Sequence, residues 1–267
     1  MKKPLLTLTL LAMLTGLTAC GATETPVKED SKLTTITDGT LKIGMEMSYA
    51  PMEYKENGNP IGFDVEMAEA IAKELNLTPE FVETDFYSIF GGLNEDEYDV
   101  IISAISYNAD RDSFYALTGN YLDNKPILIA KSDSAIADAT MMTDKVVAVS
   151  SGTTSEEYMK SYETATIVKQ CDVYETIDEA FDALTSGKAD LVCTDAVIAN
   201  YFMNNDGNSY DILWEADEEE PFCIALKDTN TALRDAVQKA YKSLKSDGTM
   251  KSLSEKYFGE DLTLDME

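Results

Sequence analysis

The sequence of 267 residues predicts an α/β fold. Short apolar runs with the length of buried strands recur along the chain, and between them apolar residues repeat every three or four positions, as in helices with one buried face. This alternation is typical of layered α/β domains with largely parallel sheets. The chain from residue 37 onward is longer than the commonest domain, so one long sheet and two smaller lobes both agree with its length.

Each predicted element has its own signal. The first strand covers residues 41–45, and the next helix has an apolar stripe formed by Phe63, Met67, Ile71 and Leu75. Asp64 lies in the first turn of that helix, where a negative charge is favourable. Further strands are predicted at residues 80–82, 99–103, 126–130, 145–149, 189–193 and 222–226.

Later helices are indicated by the same i+3 and i+4 spacing. The stripes consist of Ile177, Phe181 and Leu184, and of Leu233, Val237, Tyr241 and Leu244. Gly187 is placed to end the first of these helices, and the second is expected to end near Gly248. Helix-like runs also follow at residues 155–162 and 196–203.

The first 19 residues have the pattern of a signal peptide, with a basic start and an apolar run at residues 4–17 that is too short to span a bilayer. Residues 17–21 read LTACG and resemble a bacterial lipobox, in which Cys20 becomes a lipidated N-terminus after cleavage. An ordinary secretory signal that happens to contain a cysteine is the alternative. Residues 20–36 are small and polar, and they are predicted to form a lipidated tether.

The composition argues against several classes of function. The net charge is −28, and it becomes −30 once residues 1–19 are removed, so the surface repels nucleic acid phosphates. Histidine is absent, which removes the commonest general base and a common zinc ligand. No dinucleotide, Walker, nucleophile-elbow or paired CxxC motif occurs. We therefore predict no catalytic residue, no metal, no cofactor and no nucleic-acid partner.

Three cysteines remain after Cys20, namely Cys171, Cys193 and Cys223. An odd number cannot all pair within one chain. A bridge between Cys193 and Cys223 is one alternative in an oxidising compartment. Buried thiols are favoured, because both residues lie in apolar strand-like runs.

Several motifs follow one another in a characteristic order: residues 41–51 (LKIGMEMSYAP), 61–65 (IGFDV), 85–86 (DF), 98–106 (YDVIISAIS) with Arg111, 151–155 (SGTTS), 187–195 (GKADLVCTD), 246–249 (SDGT) and 256–259 (KYFG). Across residues 37–260 they resemble the bacterial extracellular solute-binding protein family 3, the polar amino-acid-binding lipoproteins of ABC transporters. The resemblance implies a type II periplasmic-binding-protein-like fold, with two α/β lobes joined by two crossover strands. Lobe 1 is expected at residues 37–124 and 222–267, and lobe 2 at residues 125–221.

The resemblance also implies a ligand site in the cleft between the lobes. Arg111, one of two arginines in the chain, matches the arginine that grips the ligand carboxylate with two hydrogen bonds. Gly152, Thr153 and Thr154 precede a helix whose free N–H groups would hold the same carboxylate. Without the resemblance, a surface arginine and a simple capped helix would be the preferred interpretations.

Asp195 matches the carboxylate that pairs with the ligand ammonium, and its alternative role is to cap the following helix. Ser103 and Ser106 would add hydroxyl and carbonyl acceptors from lobe 1, next to Ala104. The resemblance thus provides a partner for each charged group of a free amino acid.

Selectivity for the ligand side chain is expected from three residues. Tyr49 and Phe86 match aromatic positions that sandwich the ligand, although single aromatics of this kind are ordinarily core residues. Glu46 matches an acidic position and favours a donor-rich ligand such as arginine, lysine, ornithine, glutamine or cystine. Glu46 replaces a usual aspartate, Ala104 a common serine or glycine, and Asn120 a frequent proline.

These features predict a binding protein that delivers a free, polar or basic L-amino acid to an ABC transporter permease. We expect a monomer outside the cytoplasm, held at the membrane by a lipid anchor. A dehydratase-like enzyme of the same fold and an amino-acid sensor are the alternatives. The enzyme would need a general acid in the cleft, for which Glu46 is the candidate.

Overall fold

The computed structural model describes residues 33–267. The predicted signal peptide, Cys20 and most of the predicted tether lie outside the described residues. None of the helices within residues 33–267 is both long enough and apolar enough to cross a membrane.

The first half of the described chain contains the elements β1 (Thr40–Met45), β2 (Ser48–Tyr49), β3 (Glu53–Glu56), β4 (Asn59–Ile61), α1 (Phe63–Glu74), β5 (Thr78–Glu83), α2 (Ile89–Asn94), β6 (Val100–Ser106), α3 (Ala109–Phe114) and β7 (Tyr115–Leu117). The rest forms β8 (Pro126–Lys131), β9 (Val146–Ser150), α4 (Thr154–Thr164), β10 (Gln170–Tyr174), α5 (Ile177–Ser186), β11 (Leu191–Asp195), α6 (Ala196–Asn205), β12 (Tyr210–Glu215), β13 (Phe222–Lys227), α7 (Thr231–Ser246) and α8 (Thr249–Phe258). All the predicted strands and helices are present, with ends that differ by a few residues.

The strands form two five-stranded sheets, in the orders β5-β1-β6-β13-β7 and β10-β9-β11-β8-β12. A small third sheet joins β2, β3 and β4. Helices pack against both large sheets, so the structure confirms two α/β lobes, which we call the first and second lobe after these sheets.

The expectation of largely parallel sheets is wrong for two of the four pairs of neighbouring strands in each large sheet. In the first sheet, β13 runs antiparallel to both β6 and β7. In the second, β8 runs antiparallel to both β11 and β12. Parallel pairing follows when a helix returns the chain to the same sheet. Strands β8 and β13 instead enter from the other lobe, so that constraint does not apply to them.

The chain passes between the sheets twice, after β7 and after β12. The two crossing segments run side by side, and Leu122 forms an antiparallel bridge with Phe222, the first residue of β13. The N–H of Glu220 also donates to the carbonyl of Asn124 at 2.8 Å. Two crossover strands therefore join the lobes, as predicted.

Burial explains why these segments fold as they do. All seven residues of β6 are buried, as expected for a central strand covered on both faces. In α1 the predicted stripe residues Phe63, Met67 and Ile71 are fully buried, whereas Leu75 packs only at the edge of the core. Gly187 ends α5 with φ 75°, the left-handed conformation that glycine adopts without steric cost.

The three cysteines of the described chain are free and buried. This agrees with the favoured interpretation as thiols, and the alternative bridge between Cys193 and Cys223 is not formed. Burial raises the pKa of Cys171, Cys193 and Cys223 to about 12, which keeps the thiols protonated and unreactive.

Candidate functional site

The carboxyl ends of the central strands point toward one region. Glu46 follows β1, Ser106 ends β6, the segment leading to Thr154 follows β9, and Asp195 ends β11. In α/β proteins, ligands bind at this edge of the strands. A small cavity of about 10 Å³ is present there.

Nine residues line this cavity: Glu46, Tyr49, Phe86, Ala104, Ser106, Arg111, Thr153, Thr154 and Asp195. All nine were predicted from the sequence, and they come from both lobes. Wider depressions exist on the surface, for example beside Glu179 and Asp182, but the predicted site residues do not line them.

Arg111 is held in place by its own lobe. The side chain of Asn108 caps α3 by accepting from the N–H of Arg111 at 2.8 Å. Nη1 of Arg111 donates to the carbonyl of Ser106 at 2.8 Å, and its Cζ lies 5.3 Å from the ring centre of Phe90. Within residues 33–267 no carboxylate forms an ion pair with Arg111. Its remaining donors are therefore available to an anion in the cavity.

The N-terminus of α4 faces Arg111 from the second lobe. Thr153 is the capping residue, and its Oγ1 accepts from the N–H of Glu156 at 3.2 Å. The unpaired N–H groups at the start of a helix attract negative charge. Thr153 and Thr154 line the cavity, so the two lobes together supply a cationic side chain and a helix N-terminus for one anion.

Gly152 does not line the cavity. Its N–H donates to Oε2 of Glu156 at 2.6 Å, so this predicted donor is already occupied. Gly152 has φ 77°, and a Cβ at this position would lie 3.0 Å from the Cα of Tyr87. Because Tyr87 belongs to the first lobe, the structure places Gly152 at a close contact between the lobes.

Asp195 is buried and has two donors. Its Oδ2 accepts from the hydroxyl of Tyr49, and its Oδ1 accepts from Nδ2 of Asn124, both at 2.6 Å. Asp195 is the N-cap residue of α6, as the alternative role requires, but its side chain accepts no hydrogen bond from the N-terminus of the helix. Burial raises the pKa of Asp195 to about 6, although the hydrogen bonds from Tyr49 and Asn124 oppose this shift.

Glu46 forms an acidic end of the cavity. It is 4% exposed, and its Oε1 accepts from the hydroxyl of Ser48 at 2.7 Å. Burial, assisted by the negative charges of Asp178, Asp85 and Glu175, raises the pKa of Glu46 to about 7, although the hydrogen bond from Ser48 opposes this shift. No lysine or arginine of the described chain pairs with Glu46. This end of the cavity is therefore suited to a positively charged or donor-rich group.

Strand β6 contributes Ala104 and Ser106 to the cavity wall. Ala104 lines the cavity with φ 45°, a left-handed conformation that is uncommon for a residue with a Cβ. Its N–H donates to Oδ2 of Asp64 at 2.8 Å. Ser103 is fully buried and does not line the cavity, because its hydroxyl accepts from the N–H of Glu46 at 3.0 Å and donates to Glu53. Ser103 thus lies behind the site that it was predicted to line.

Sequence reasoning missed several contributors. Asn124 lies in a crossing segment, and no periodicity or motif singled out its amide as a partner for Asp195. Asp178 is in the first turn of α5, where an acidic residue ordinarily serves the helix end. Within residues 33–267, no group of three His, Cys, Asp or Glu side chains is arranged to hold a metal ion.

Comparison with known proteins identifies chains of similar sequence and structure. The family model described as "Bacterial extracellular solute-binding proteins, family 3" matches residues 41–260. The L-cystine-binding protein TcyA of Bacillus subtilis is 28% identical, and the alignment covers 98% of this chain and 100% of TcyA. The arginine-binding extracellular protein ArtP of the same organism is 28% identical, with 97% and 98% coverage.

A solved structure agrees with these relatives. An ancestral arginine-binding protein bound to arginine superposes with a TM-score of 0.77 and 32% identity, covering 83% of this chain and 99% of that chain. The family match over residues 41–260 includes residues of both lobes.

Proposed function

Because the chain belongs to the bacterial extracellular solute-binding proteins, family 3, we propose that it is the extracytoplasmic substrate-binding component of an amino-acid ABC importer. The observation that carries this proposal is that Arg111 from the first lobe and Asp195 from the second line the same small cavity. An arginine and a helix N-terminus are partners for a carboxylate, and a carboxylate is the partner for an ammonium. A free amino acid carries both groups on one carbon.

The ligand's α-carboxylate is held by Arg111 from the first lobe and by Thr153 and Thr154 from the second. Its ammonium is held by Asp195, with the carbonyl of Ser106 as a further acceptor. Tyr49 and Phe86 enclose the ligand between aromatic rings. Since each lobe holds part of the ligand, binding stabilises the closed cleft relative to the open one. The membrane permease recognises the closed form.

The side chain of the ligand extends toward Glu46. An ionised carboxylate that is 4% exposed and has no cationic partner within the described chain is costly unless a ligand supplies the donors. The nearby charges of Asp178 and Asp85 favour a cationic side chain over a neutral one. The proposed ligand class is therefore basic and polar L-amino acids, with arginine, lysine and ornithine ahead of glutamine and cystine.

The N-terminal motif supports attachment to the membrane. We propose that residues 1–19 are removed and that Cys20 carries the lipid, with residues 20–36 as a tether between the bilayer and the first lobe. We further propose that the protein acts as a monomer. Replacement of Cys20 by alanine should release the protein from the membrane fraction without changing its ligand affinity.

The function proposed here requires no chemical step. The relatives named above are binding proteins, and the buried acid that an enzyme would use, Glu46, fits a role in ligand selection. The dehydratase-like alternative therefore has less support.

The experiment that tests the proposal is a thermal unfolding screen of residues 21–267. The protein is first unfolded and refolded to remove co-purified ligand, and it is then mixed with each common L-amino acid, ornithine and cystine. A ligand at about a thousandfold above its dissociation constant adds roughly 4 kcal/mol to the free energy of unfolding. A raised midpoint with a basic amino acid supports the proposal. If no amino acid raises the midpoint, the proposal is wrong.

A further inference from the structure

Two carboxyl groups lie fully buried behind the cleft. Glu53, the first residue of β3, and Asp64, in the first turn of α1, both have 0% exposure. No ion pair within residues 33–267 involves either side chain. Two adjacent buried carboxylates without a cation are too costly for both to ionise, so at least one of them retains its proton.

The hydrogen bonds to the two carboxyl groups indicate which of them is the better place for that proton. Oδ2 of Asp64 accepts from the N–H of Ala104 at 2.8 Å and from the hydroxyl of Tyr121 at 2.9 Å. The hydroxyl of Ser103 accepts from the N–H of Glu46, so it donates to Oε1 of Glu53. Asp64 is thus the better-stabilised anion, and Oε1 of Glu53 is an acceptor.

The remaining oxygen of each carboxyl, Oε2 of Glu53 and Oδ1 of Asp64, is buried without a donor from the described chain. The two carboxyl groups are nonetheless near enough for each to shift the pKa of the other. A proton on Oε2 of Glu53 that is donated to Oδ1 of Asp64 satisfies both oxygens at once. Buried polar groups in folded proteins are nearly always satisfied in this way.

We propose that Glu53 stays protonated and hydrogen-bonded to Asp64, and that this pair positions the first-lobe side of the ligand site. Through Ser103, Glu53 fixes the backbone of Glu46, the residue at the acidic end of the cavity. Through its backbone bond, Asp64 fixes Ala104 in its left-handed conformation at the cavity wall. Glu53 and Asp64 touch no ligand, and they act by holding the residues that do.

The groups around Glu53 favour the protonated form. Asp64 on α1 and Glu46 after β1 are acidic, and Tyr121 in the crossing segment donates to Asp64. Burial raises the pKa of Tyr121, and the buried thiol of Cys223 on β13, which donates to the carbonyl of Ile105, adds slightly to that rise. Burial raises the pKa of Glu53 well above its usual range, and the charges of Asp64 and Glu46 act in the same direction.

Infrared spectroscopy of the ligand-free protein at about pH 8 tests for the proton directly, because Glu46 is largely ionised there. We expect the carbonyl stretch of a protonated carboxylic acid in the wild type and in the control variant Glu46→Gln, and its loss in Glu53→Gln. If the band is absent from the wild type, or persists in Glu53→Gln, the inference is wrong.

Ligand affinity tests the positioning role, which rests on the proposed function. The amide of Glu53→Gln can still donate to Asp64 and accept from Ser103, so we expect affinity within about threefold of the wild type. Glu53→Met has a similar length but no polar atoms, and we expect about tenfold or greater weakening for every ligand alike. Equal weakening by both substitutions would contradict the role. If Glu53→Met does not fold, the affinity of Glu53→Gln is the test: affinity within about threefold of the wild type supports the positioning role, and weakening of about tenfold or more contradicts it. If the wild type binds no amino acid, the proposed function fails, whereas the spectrum still decides the state of Glu53.

Discussion

The hydroxyl of Tyr49 in the first lobe donates a hydrogen bond of 2.6 Å to Oδ2 of Asp195 in the second lobe. Asp195 is the proposed partner of the ligand ammonium, so one hydrogen bond both joins the lobes and orients the carboxylate. The same bond lowers the pKa of Asp195 against the opposing effect of burial. Closure of the cleft and ionisation of the site are therefore linked.

Tyr49→Phe should weaken binding and shift its pH dependence. The substitution keeps the aromatic ring but removes a hydrogen bond to a charged group, so affinity should fall by roughly tenfold. The pKa of Asp195 should rise above its present value of about 6, because the donor that stabilised its charge is gone. Calorimetric titration at several pH values measures both effects. A pH profile that does not move would contradict the proposed link between Tyr49 and Asp195.

Arg111→Ala should abolish tight binding of every amino acid. The ligand carboxylate would lose a bidentate, charge-assisted contact, and affinity should fall by at least about a hundredfold. Arg234→Ala is the matched control, since Arg234 is the other arginine and forms its ion pair with the exposed Asp235. Equilibrium dialysis with labelled ligand measures both variants. Similar affinities for the two variants would show that Arg111 does not bind the ligand carboxylate.

Glu46→Gln should change the order of preference among ligands. The neutral amide no longer attracts a cationic side chain, so affinity for arginine should fall by about tenfold or more relative to glutamine. In the wild type, affinity for arginine should rise as pH increases through about 7, because Glu46 becomes ionised there. Competition binding with arginine and glutamine at several pH values checks both statements. An unchanged ratio of the two affinities would show that Glu46 does not select the side chain.

The ligand-free protein should lose stability as pH rises from about 4 to about 7. Burial raises the folded-state pKa of Glu46 from 4.5 to about 7 and that of Asp195 from 3.8 to about 6. A carboxyl group whose pKa is higher in the folded than in the unfolded state contributes its full stability when the pH lies below the unfolded-state pKa. This contribution disappears as the pH rises through the folded-state pKa. Unfolding midpoints of the wild type and of a Glu46→Gln, Asp195→Asn double variant should converge at low pH. Curves that stay parallel would contradict the shifted ionisations.

Gly152→Ala should weaken ligand binding in addition to destabilising the fold. An added Cβ would lie 3.0 Å from the Cα of Tyr87, which opposes closure of the lobes. Gly187→Ala is the control, because Gly187 has a similar φ of 75° but no atom within 4 Å of the added Cβ. Both substitutions should destabilise the fold by about 1–2 kcal/mol through backbone strain. Only Gly152→Ala should reduce affinity, by an expected tenfold or so; equal affinities for the two variants would contradict a contact between the lobes.

The strands and helices were predictable where burial imposes a period. The predicted strand at residues 99–103 is largely apolar because it is covered on both faces. The helix stripe that contains Phe63 and Met67 is apolar because that one face packs on the core. The strands β2, β3 and β4 were not predicted, because they are only two to four residues long and have no apolar alternation. The mixed direction of the sheets depends on how the chain passes between lobes, which periodicity does not report.

The site was predictable by resemblance to a family rather than by local pattern. Arg111, Thr153 and Asp195 match motif positions, and the structure brings them to one cavity. Asn124, Asp178 and Glu53 contribute through contacts between residues far apart in the chain, for which a single sequence holds no signal. Ser103 and Gly152 were assigned to the ligand, although their polar groups are engaged by the protein itself.

The central claim is that Arg111 and Asp195 bind the two charged groups of a free amino acid. Calorimetric titration of the refolded protein with L-arginine and with agmatine, its analogue without the α-carboxylate, tests this claim most directly. We predict that arginine binds and that agmatine binds at least about a hundredfold more weakly, because the contacts of Arg111 and of the α4 N-terminus are lost. Equal affinities for arginine and agmatine, or binding of neither arginine nor any other amino acid, would contradict the account.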